Sequence, residues 1–471
     1  MANDEKWQRA RLFPVTGIGN PNEQERRGCS VLLAVLSSVK EFGRAITTRC
    51  GAPAGPIETF IEVPFDLGGK VYRPDGLIRI TRGQRTWTAL VETKTGRNDL
   101  EVEQLNNYLD IAREQGFDAV ISISHQVATT PGFHPVVVDK RKTRKVELHH
   151  LSWSRIHTEA IIQHQNHEVS DPDQAWLLSE FIRYIEDPKS GALDFEDMGK
   201  TWVAVRDGAA KGTLRANDTE TLEVVARFDQ LLAFCGMELS RHLGVHVSQR
   251  LSKGELDEQA TRLQNQAAGL AKSGQLGGAL IVPNAAVPIE ITIDLRANRV
   301  DARALIAAPT DRRPSARVTW ILNQLKSAPP ALQVVANVAR SKTPGRSCAL
   351  SALLEDPKVI VESPQADIRS FTLTLSQGTG TKRGQGKGSF VASVVSLVDS
   401  FYVGAVQPLK AWAPPAPKPK ATPAPGEDAP SSVLSTTADS AQVVEGAPPP
   451  AVGIRPELEP VRPWPETAAA D

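Results

Sequence analysis

Two strand-like segments flank Gly83-Gln84, and this hairpin constrains the fold more than any other feature of the 471-residue chain. A two-residue loop with glycine first favours a type II′ turn, which fixes the register of the strands that it joins. Counting outward from the loop places Asp75 opposite Glu92. Because side chains alternate along a strand, Glu92 and Lys94 are expected on one face, and Asp75 is expected on the same face.

The hairpin belongs to a regular succession of helical and strand-like segments between residues 22 and 165. The predicted elements are a helix over 23–46, strands over 57–65, 71–80 and 86–95, a helix over 98–115, strands over 117–123 and 146–153, and a helix over 154–163. Asn98 and Glu101 have the spacing of a capping box, so we expect Asn98 to cap the second helix. The order helix, three-strand meander, helix, strand, strand, helix predicts a compact α/β domain.

Two carboxylates and an ammonium group on one face of an apolar sheet need a physical reason, since nearby like charges repel and charge is costly in apolar surroundings. A divalent cation provides one. Asp75 and Glu92, with the Thr93 carbonyl as a further candidate ligand, would hold Mg²⁺ and leave positions for water and a phosphate oxygen. Lys94 would then orient the attacking water and stabilise charge on the phosphate. These residues indicate phosphodiester cleavage that depends on Mg²⁺, with Mn²⁺ as the alternative ion.

The same residues resemble the signature of a known nuclease superfamily. Pro74-Asp75 followed by Glu92-Thr93-Lys94 resembles the PD-(D/E)XK motif, and the order of the surrounding elements is similar to the core of that superfamily. The resemblance covers residues 22–165. It implies a restriction-endonuclease-like core and a hydrolase that cleaves DNA, with RNA as the alternative substrate. Whether cutting is internal, as by an endonuclease, or from ends stays open.

The resemblance extends to two helices. Gln104 and Tyr108 resemble the QxxxY motif of RecB-type members, and their spacing places both on one helix face. The motif implies that they steady the active site or a phosphate. In the superfamily an acid from the first helix often completes the metal site; Glu25 is the candidate here and Glu23 the second. A solvated glutamate favoured by the helix dipole is the alternative interpretation.

A basic loop precedes the strand that begins near Val146, and it is the candidate nucleic-acid contact. Its cations are Lys140, Arg141, Lys142, Arg144 and Lys145. Contact with the phosphate backbone and a merely solvated hairpin are equal alternatives for it. A second basic segment, 382–387, lacks the spacing of a phosphate-binding P-loop. Five histidines between residues 149 and 167 do not favour a zinc site, because they are expected to point in different directions.

The remaining chain carries no motif that identifies a chemistry. Residues 1–21 are predicted to be an N-terminal arm, and residues 171–410 a mixed α/β accessory domain. Its predicted elements are helices up to residue 275, strands over 279–282, 289–295 and 300–306, a helix over 318–326, a strand over 332–338 and a helix over 390–409. Residues 411–471 contain 14 of the 34 prolines, which predicts a disordered Pro/Ala-rich tail.

Composition limits the function and the compartment. The chain has 54 basic and 54 acidic side chains, so any nucleic-acid-binding field must be local. The four cysteines are dispersed, the N-terminus lacks the apolar core of a signal peptide, and no apolar run is long enough to span a membrane. We therefore predict a cytoplasmic protein that has no membrane association.

Two classes of function fit these observations. One is a Mg²⁺-dependent nuclease, favoured because Asp75, Glu92 and Lys94 occur together. The alternative is a catalytically inert nuclease-like module that binds DNA or acts as a scaffold, and recruits protein partners through residues 171–410 or the tail. The sequence does not indicate the oligomeric state.

Overall fold

Two large β-sheets, a two-stranded ribbon and the helices packed on them form the part of the protein that the structure, a computed structural model, describes. It describes residues 11–15, 19–130, 132–167, 169–340, 345–361, 363, 366–384, 386 and 388–414. The elements around the first sheet are α1 (Pro21–Ser38), α2 (Lys40–Arg49), β1 (Ile57–Ile61), β2 (Phe65–Leu67), β3 (Lys70–Tyr72), β4 (Gly76–Arg82), β5 (Arg85–Thr93), α3 (Val102–Gln115), β6 (Ala119–Ser124), β7 (Glu147–Ser152), α4 (Trp153–Gln165) and α5 (Pro172–Ile185).

The first sheet has five strands in the order β1-β4-β5-β6-β7. β1, β4 and β5 are antiparallel, whereas β5, β6 and β7 run parallel. The first two predicted strands are each divided, because β2 and β3 leave the sheet and pair with each other. The prediction of a mixed α/β architecture is confirmed.

The β4–β5 hairpin has the predicted register. Arg82 pairs with Arg85, and Gly76 pairs with Val91 at the far end. Gly83 has a φ of 61°, as a type II′ turn requires at its first central position. One further step along both strands brings Asp75 beside Glu92, so the hairpin positions the two carboxylates.

Helices cover both faces of the five-stranded sheet. On one face, α3 packs Leu105 and Leu109 against Leu77 and Leu90 of the hairpin. The opposite face packs against α1, α2, α4 and α5 in a larger core. Because Leu90 faces α3, Glu92, two residues further along β5, faces the same helix.

Two local predictions are wrong. The helix predicted over 23–46 is interrupted at Val39, whose backbone is extended (φ −104°, ψ 100°), so that α2 starts anew. The fold-back brings Gly43 so close to α1 that a Cβ atom there would lie 2.1 Å from the Leu36 carbonyl oxygen. Asn98 does not cap α3, which has Glu101 as its N-cap residue with no side-chain hydrogen bond.

The second sheet lies in the C-terminal part. Its surroundings comprise α6 (Trp202–Lys211), α7 (Thr219–Leu243), β8 (Ser248–Gln249), α8 (Lys253–Asp257), α9 (Gln259–Ser273), β9 (Gln275–Ile281), β10 (Ile289–Asp294), β11 (Arg299–Ala307), α10 (Pro314–Gln324), β12 (Gln333–Val338), β13 (Ser347–Ala349), α11 (Leu350–Glu355), β14 (Ile368–Gly378) and α12 (Phe390–Phe401). The seven strands follow the order β13-β12-β14-β11-β10-β9-β8. Strand β14 is absent from the predictions, although Phe371, Leu373 and Leu375 alternate as in a half-buried strand.

The two sheets belong to one compact unit. α4 contacts α7 of the C-terminal part, and α5 packs in the core of the first sheet. The four cysteines are buried thiols. None of the helices that the structure describes combines the length and the apolarity required to cross a bilayer. From residue 415 onward the predicted tail lies outside the described residues.

Candidate active site

Asp75 and Glu92 meet where β4 begins and β5 ends. The Asp75 carboxylate accepts a hydrogen bond from the backbone N–H of Thr93, with 2.7 Å between Oδ2 and N. This bond fixes Asp75 against the residue that follows Glu92. The predicted placement of Asp75 and Glu92 across the hairpin is therefore supported by a direct contact between Asp75 and the residue that follows Glu92.

Lys94 lies between two carboxylates. Its Nζ is 2.8 Å from Oε1 of Glu92 and 3.7 Å from Oε2 of Glu25. Glu92 is 1% exposed, and the side chain of Lys94 is 14% exposed. The acid–base cluster is therefore almost removed from bulk solvent. Electrostatic interactions between its charges are stronger there than they would be in water.

The backbone of Lys94 is held from both sides. Its N–H donates to the Ile123 carbonyl of β6 at 2.7 Å, which extends the parallel pairing by one residue. Its carbonyl accepts from the indole N–H of Trp153 at 3.0 Å. These two bonds fix the direction in which the lysine side chain leaves the sheet.

Glu25 reaches the cluster from α1. Its Oε1 accepts a hydrogen bond of 2.8 Å from the Asn98 amide, and its Oε2 contacts Lys94. Glu23, the second candidate, instead forms an ion pair with Arg27 and accepts from the Gly19 N–H. Of the two glutamates, the structure brings Glu25 to the cluster.

Close packing of α1 against the hairpin depends on Gly76. A Cβ atom at this position would lie 2.4 Å from Cδ1 of Leu33, and Leu33 is itself buried. Because Gly76 has no side chain, α1 can pack closely against the hairpin, and this packing brings Glu25 of α1 near the cluster.

Gln104 and Tyr108 share one face of α3, as predicted. The Gln104 amide donates to the Tyr108 hydroxyl at 3.1 Å, and that hydroxyl donates to the Arg73 carbonyl at 3.5 Å. Burial, followed by the negative charge of Glu92, raises the pKa of Tyr108. The phenol therefore stays protonated beside the carboxylates, next to the Arg73-Pro74-Asp75 segment.

The surroundings of Asp75 and Glu92 disfavour their negative charge, so these carboxyl groups tend to bind a proton or a cation. Burial raises the pKa of Asp75 to about 6, against the hydrogen bond from Thr93 and the charge of Lys94. Burial and the charge of Asp75 raise the pKa of Glu92 to about 8. For Lys94, burial acts to lower the pKa, but the charges of Glu92, Glu25 and Asp75 outweigh it and raise the pKa.

The donor set fits a hard divalent cation in part. Beyond its contact with Lys94, neither carboxylate oxygen of Glu92 accepts a hydrogen bond of good geometry from the described residues, although both oxygens are buried. Buried acceptors without partners are costly, and a cation would satisfy them. However, no three His, Cys, Asp or Glu side chains in the described ranges converge as a ready metal cage. One or two carboxylates plus water suit Mg²⁺ rather than such a cage.

An open groove of about 290 Å³ adjoins the cluster at Asp75. Arg26 and Arg27 of α1 line it, together with Glu62. The Arg26 side chain is 66% exposed and pairs with Glu62 at 2.6 Å. The sequence predictions do not include these arginines, whose positions beside Glu25 on the same helix could have indicated them.

The basic loop of residues 140–145 lies at the opposite end of the sheet. It precedes β7, in which Glu147 pairs with Ala119 of β6, and Ala119 in turn pairs with Ala89 of β5. At about 3.3 Å per residue, the loop and Lys94 are separated by roughly 20 Å along the strands. Arg141 pairs with Asp139, which precedes the loop, and Lys142 pairs with Asp110 of α3. Lys140, Arg144 and Lys145 are exposed.

The structure thus brings together Asp75, Glu92, Lys94, Glu25, Gln104 and Tyr108, and adds Asn98 and Trp153 as supporting residues. Such a group can hold a cation, orient a water molecule and stabilise negative charge. No protein-family model, curated protein or solved structure matches the chain.

Proposed function

We propose that the protein is a Mg²⁺-dependent nuclease of PD-(D/E)XK type that hydrolyses phosphodiester bonds of DNA, with a restriction-endonuclease-like core, and that it acts in the cytoplasm. Mn²⁺ is the alternative ion and RNA the alternative substrate. The observation that carries the proposal is the contact of Lys94 with buried Glu92 and with Glu25, beside Asp75 at the start of the neighbouring strand.

Asp75, Glu92 and Glu25 are the residues that would hold the cation. When bound, the ion would supply Lewis-acid activation of the phosphodiester and of water. Its charge would replace the protons that the raised pKa values of Asp75 and Glu92 favour in its absence. The Thr93 N–H orients the Asp75 carboxylate, and the Asn98 amide orients that of Glu25.

Lys94 acts on the reacting groups in this proposal. Its ammonium donates a hydrogen bond to the attacking water and stabilises negative charge as it develops on the phosphate. The fixed backbone of Lys94 makes this placement reproducible. Tyr108, kept protonated and hydrogen-bonded by Gln104, is a donor that can position a phosphate oxygen.

The groove at Asp75 is the proposed path of the nucleic-acid backbone. Arg26 is exposed beside it, and phosphate contacts by arginine are charge-assisted and often bidentate. The loop with Lys140, Arg144 and Lys145 is too remote for contact with the scissile phosphate. It stays a candidate for contact with a more distant part of a long duplex.

A catalytically inert DNA-binding or scaffolding module is the second candidate. The described residues hold no ready metal cage, and Lys94 already neutralises part of the acidic cluster. In such a module the charges of Asp75, Glu92 and Lys94 would serve only to stabilise one another. Partners would then bind through residues 171–410 or the tail.

Incubation with circular and linear DNA in Mg²⁺ separates the two functions. The nuclease proposal predicts cleavage by the wild type, and loss of cleavage in Asp75→Asn and Glu92→Gln, which keep shape but remove charge. Conversion of circles would identify an endonuclease. Cleavage that persists at the wild-type rate in either purified variant would exclude these residues from the metal site.

A further inference from the structure

A separate cavity of about 440 Å³ lies at the outer edge of the five-stranded sheet, where β7 meets α7 and β8. This volume falls within the range of small-molecule binding sites. The residues that define its character are Arg155, Arg49, His246, Phe133, Met237 and Leu251. Asp75, Glu92 and Lys94 do not line it.

Arg155 is the chemically notable residue of this cavity. It lies in the first turn of α4 and is enclosed by protein, yet part of it stays accessible because it lines the cavity. Its backbone N–H donates to the Ser152 hydroxyl. Its guanidinium has neither a hydrogen bond nor an ion pair with any residue that the structure describes.

The acids around Arg155 are engaged by other cations. Glu159 lies 3.2 Å from Arg49 and 3.5 Å from His246. Arg241, the other nearby arginine, is paired with Asp194 and Glu238. The charge of Glu159 attracts Arg155, but the ion-pair partners of Glu159 are Arg49 and His246. Among the described residues Arg155 therefore has no ion pair of its own.

Such a charge is expensive to bury, so a native protein normally pairs it. Burial and the charge of Arg49 lower the pKa of Arg155 to about 10, which leaves the guanidinium protonated at neutral pH. An oxyanion from a ligand would supply the missing counter-charge through parallel N–H···O bonds.

We propose that this cavity binds a small organic anion, in which a carboxylate or phosphate group pairs with Arg155 and an apolar part packs on Phe133, Met237 and Leu251. The two oxyanions share the chemistry that a guanidinium recognises. The apolar wall requires an organic body rather than a bare inorganic ion.

Isothermal titration calorimetry of the full chain tests the proposal with three probes: benzoate, adenosine monophosphate and inorganic phosphate. We expect saturable binding of benzoate, which carries a carboxylate, or of the nucleotide, which carries a phosphate. Arg155→Met should weaken this binding about tenfold or more, the scale of one charged hydrogen-bond pair. Arg113→Met, which removes an equal charge from an exposed position on α3, should bind as the wild type does.

A second variant tests the apolar wall without touching the charge. Phe133→Ala should weaken the organic probe while leaving any response to inorganic phosphate unchanged. Absence of wild-type binding to both organic probes up to about 10 mM would overturn the proposal, since no useful site is weaker than that. So would equal affinity of the wild type and Arg155→Met, or of the wild type and Phe133→Ala.

Discussion

Replacement of Glu92 by glutamine is expected to stabilise the protein at alkaline pH while it removes activity. Burial raises the pKa of Glu92 from 4.5 to about 8 in the folded state. A carboxyl group with a raised pKa binds its proton more tightly when folded, so its contribution to stability falls as pH rises from about 4.5 to about 8. At about 1.4 kcal/mol per pH unit, ionised Glu92 lowers the free energy of unfolding by on the order of 3–5 kcal/mol above pH 8.

Urea unfolding without divalent cations, at pH 5, 7 and 9, measures this effect. The variant should match the wild type at pH 5, where Glu92 is protonated, and exceed it increasingly toward pH 9. Glu58→Gln, the same change on an exposed residue of β1, is the control and should show no such trend. The reasoning would be refuted if the free energies of unfolding of the wild type and of Glu92→Gln changed in parallel with pH, or if the variant were the less stable protein at pH 9. Either result would show that ionised Glu92 does not destabilise the fold.

Three further outcomes are expected. Mg²⁺ should raise the melting temperature of the wild type more at pH 8.5 than at pH 6, because protons compete for Asp75 and Glu92, and Asp75→Asn should abolish the rise; a rise of equal size in that variant would place the ion elsewhere. Gly76→Ala should lower the free energy of unfolding by about 1–3 kcal/mol in urea titration, because its methyl group would overlap Leu33. Gly69→Ala is the comparison: a Cβ atom at that exposed position would meet no other atom, so a loss of stability there would report only the strain of its positive φ. Reversal of Lys140, Arg144 and Lys145 to glutamate should weaken DNA binding and flatten its slope against log salt; an unchanged slope would show that the loop is merely solvated.

The sequence was sufficient for the hairpin because a two-residue loop determines the register of everything that it joins. Gly83-Gln84 gave the pairing of Gly76 with Val91, and so the meeting of Asp75 and Glu92. The resemblance to the QxxxY motif singled out Gln104 and Tyr108, and their helical spacing predicted the shared face on which they meet. These features depend on local geometry, which a sequence pattern specifies directly.

Features that depend on packing between distant segments were harder to predict. Asn98 has the spacing of a helix cap, but its amide is taken by Glu25 of α1, a tertiary contact that local propensity does not contain. The break at Val39 and the close approach at Gly43 likewise depend on how α2 folds back on α1. The unpaired Arg155 became visible only when the partners of its acidic neighbours were known.

Lys94→Met tests the central claim most directly, through metal affinity, DNA affinity and cleavage rate measured on one protein beside the wild type. If the cluster is catalytic, the variant should still bind Mg²⁺ and DNA but cleave at least about a hundredfold more slowly, the scale of one positioned electrostatic group. Met is similar in length to Lys, so the loss would report the missing charge. Cleavage at the wild-type rate by Lys94→Met, or no Mg²⁺-dependent cleavage by the wild type itself, would contradict the account.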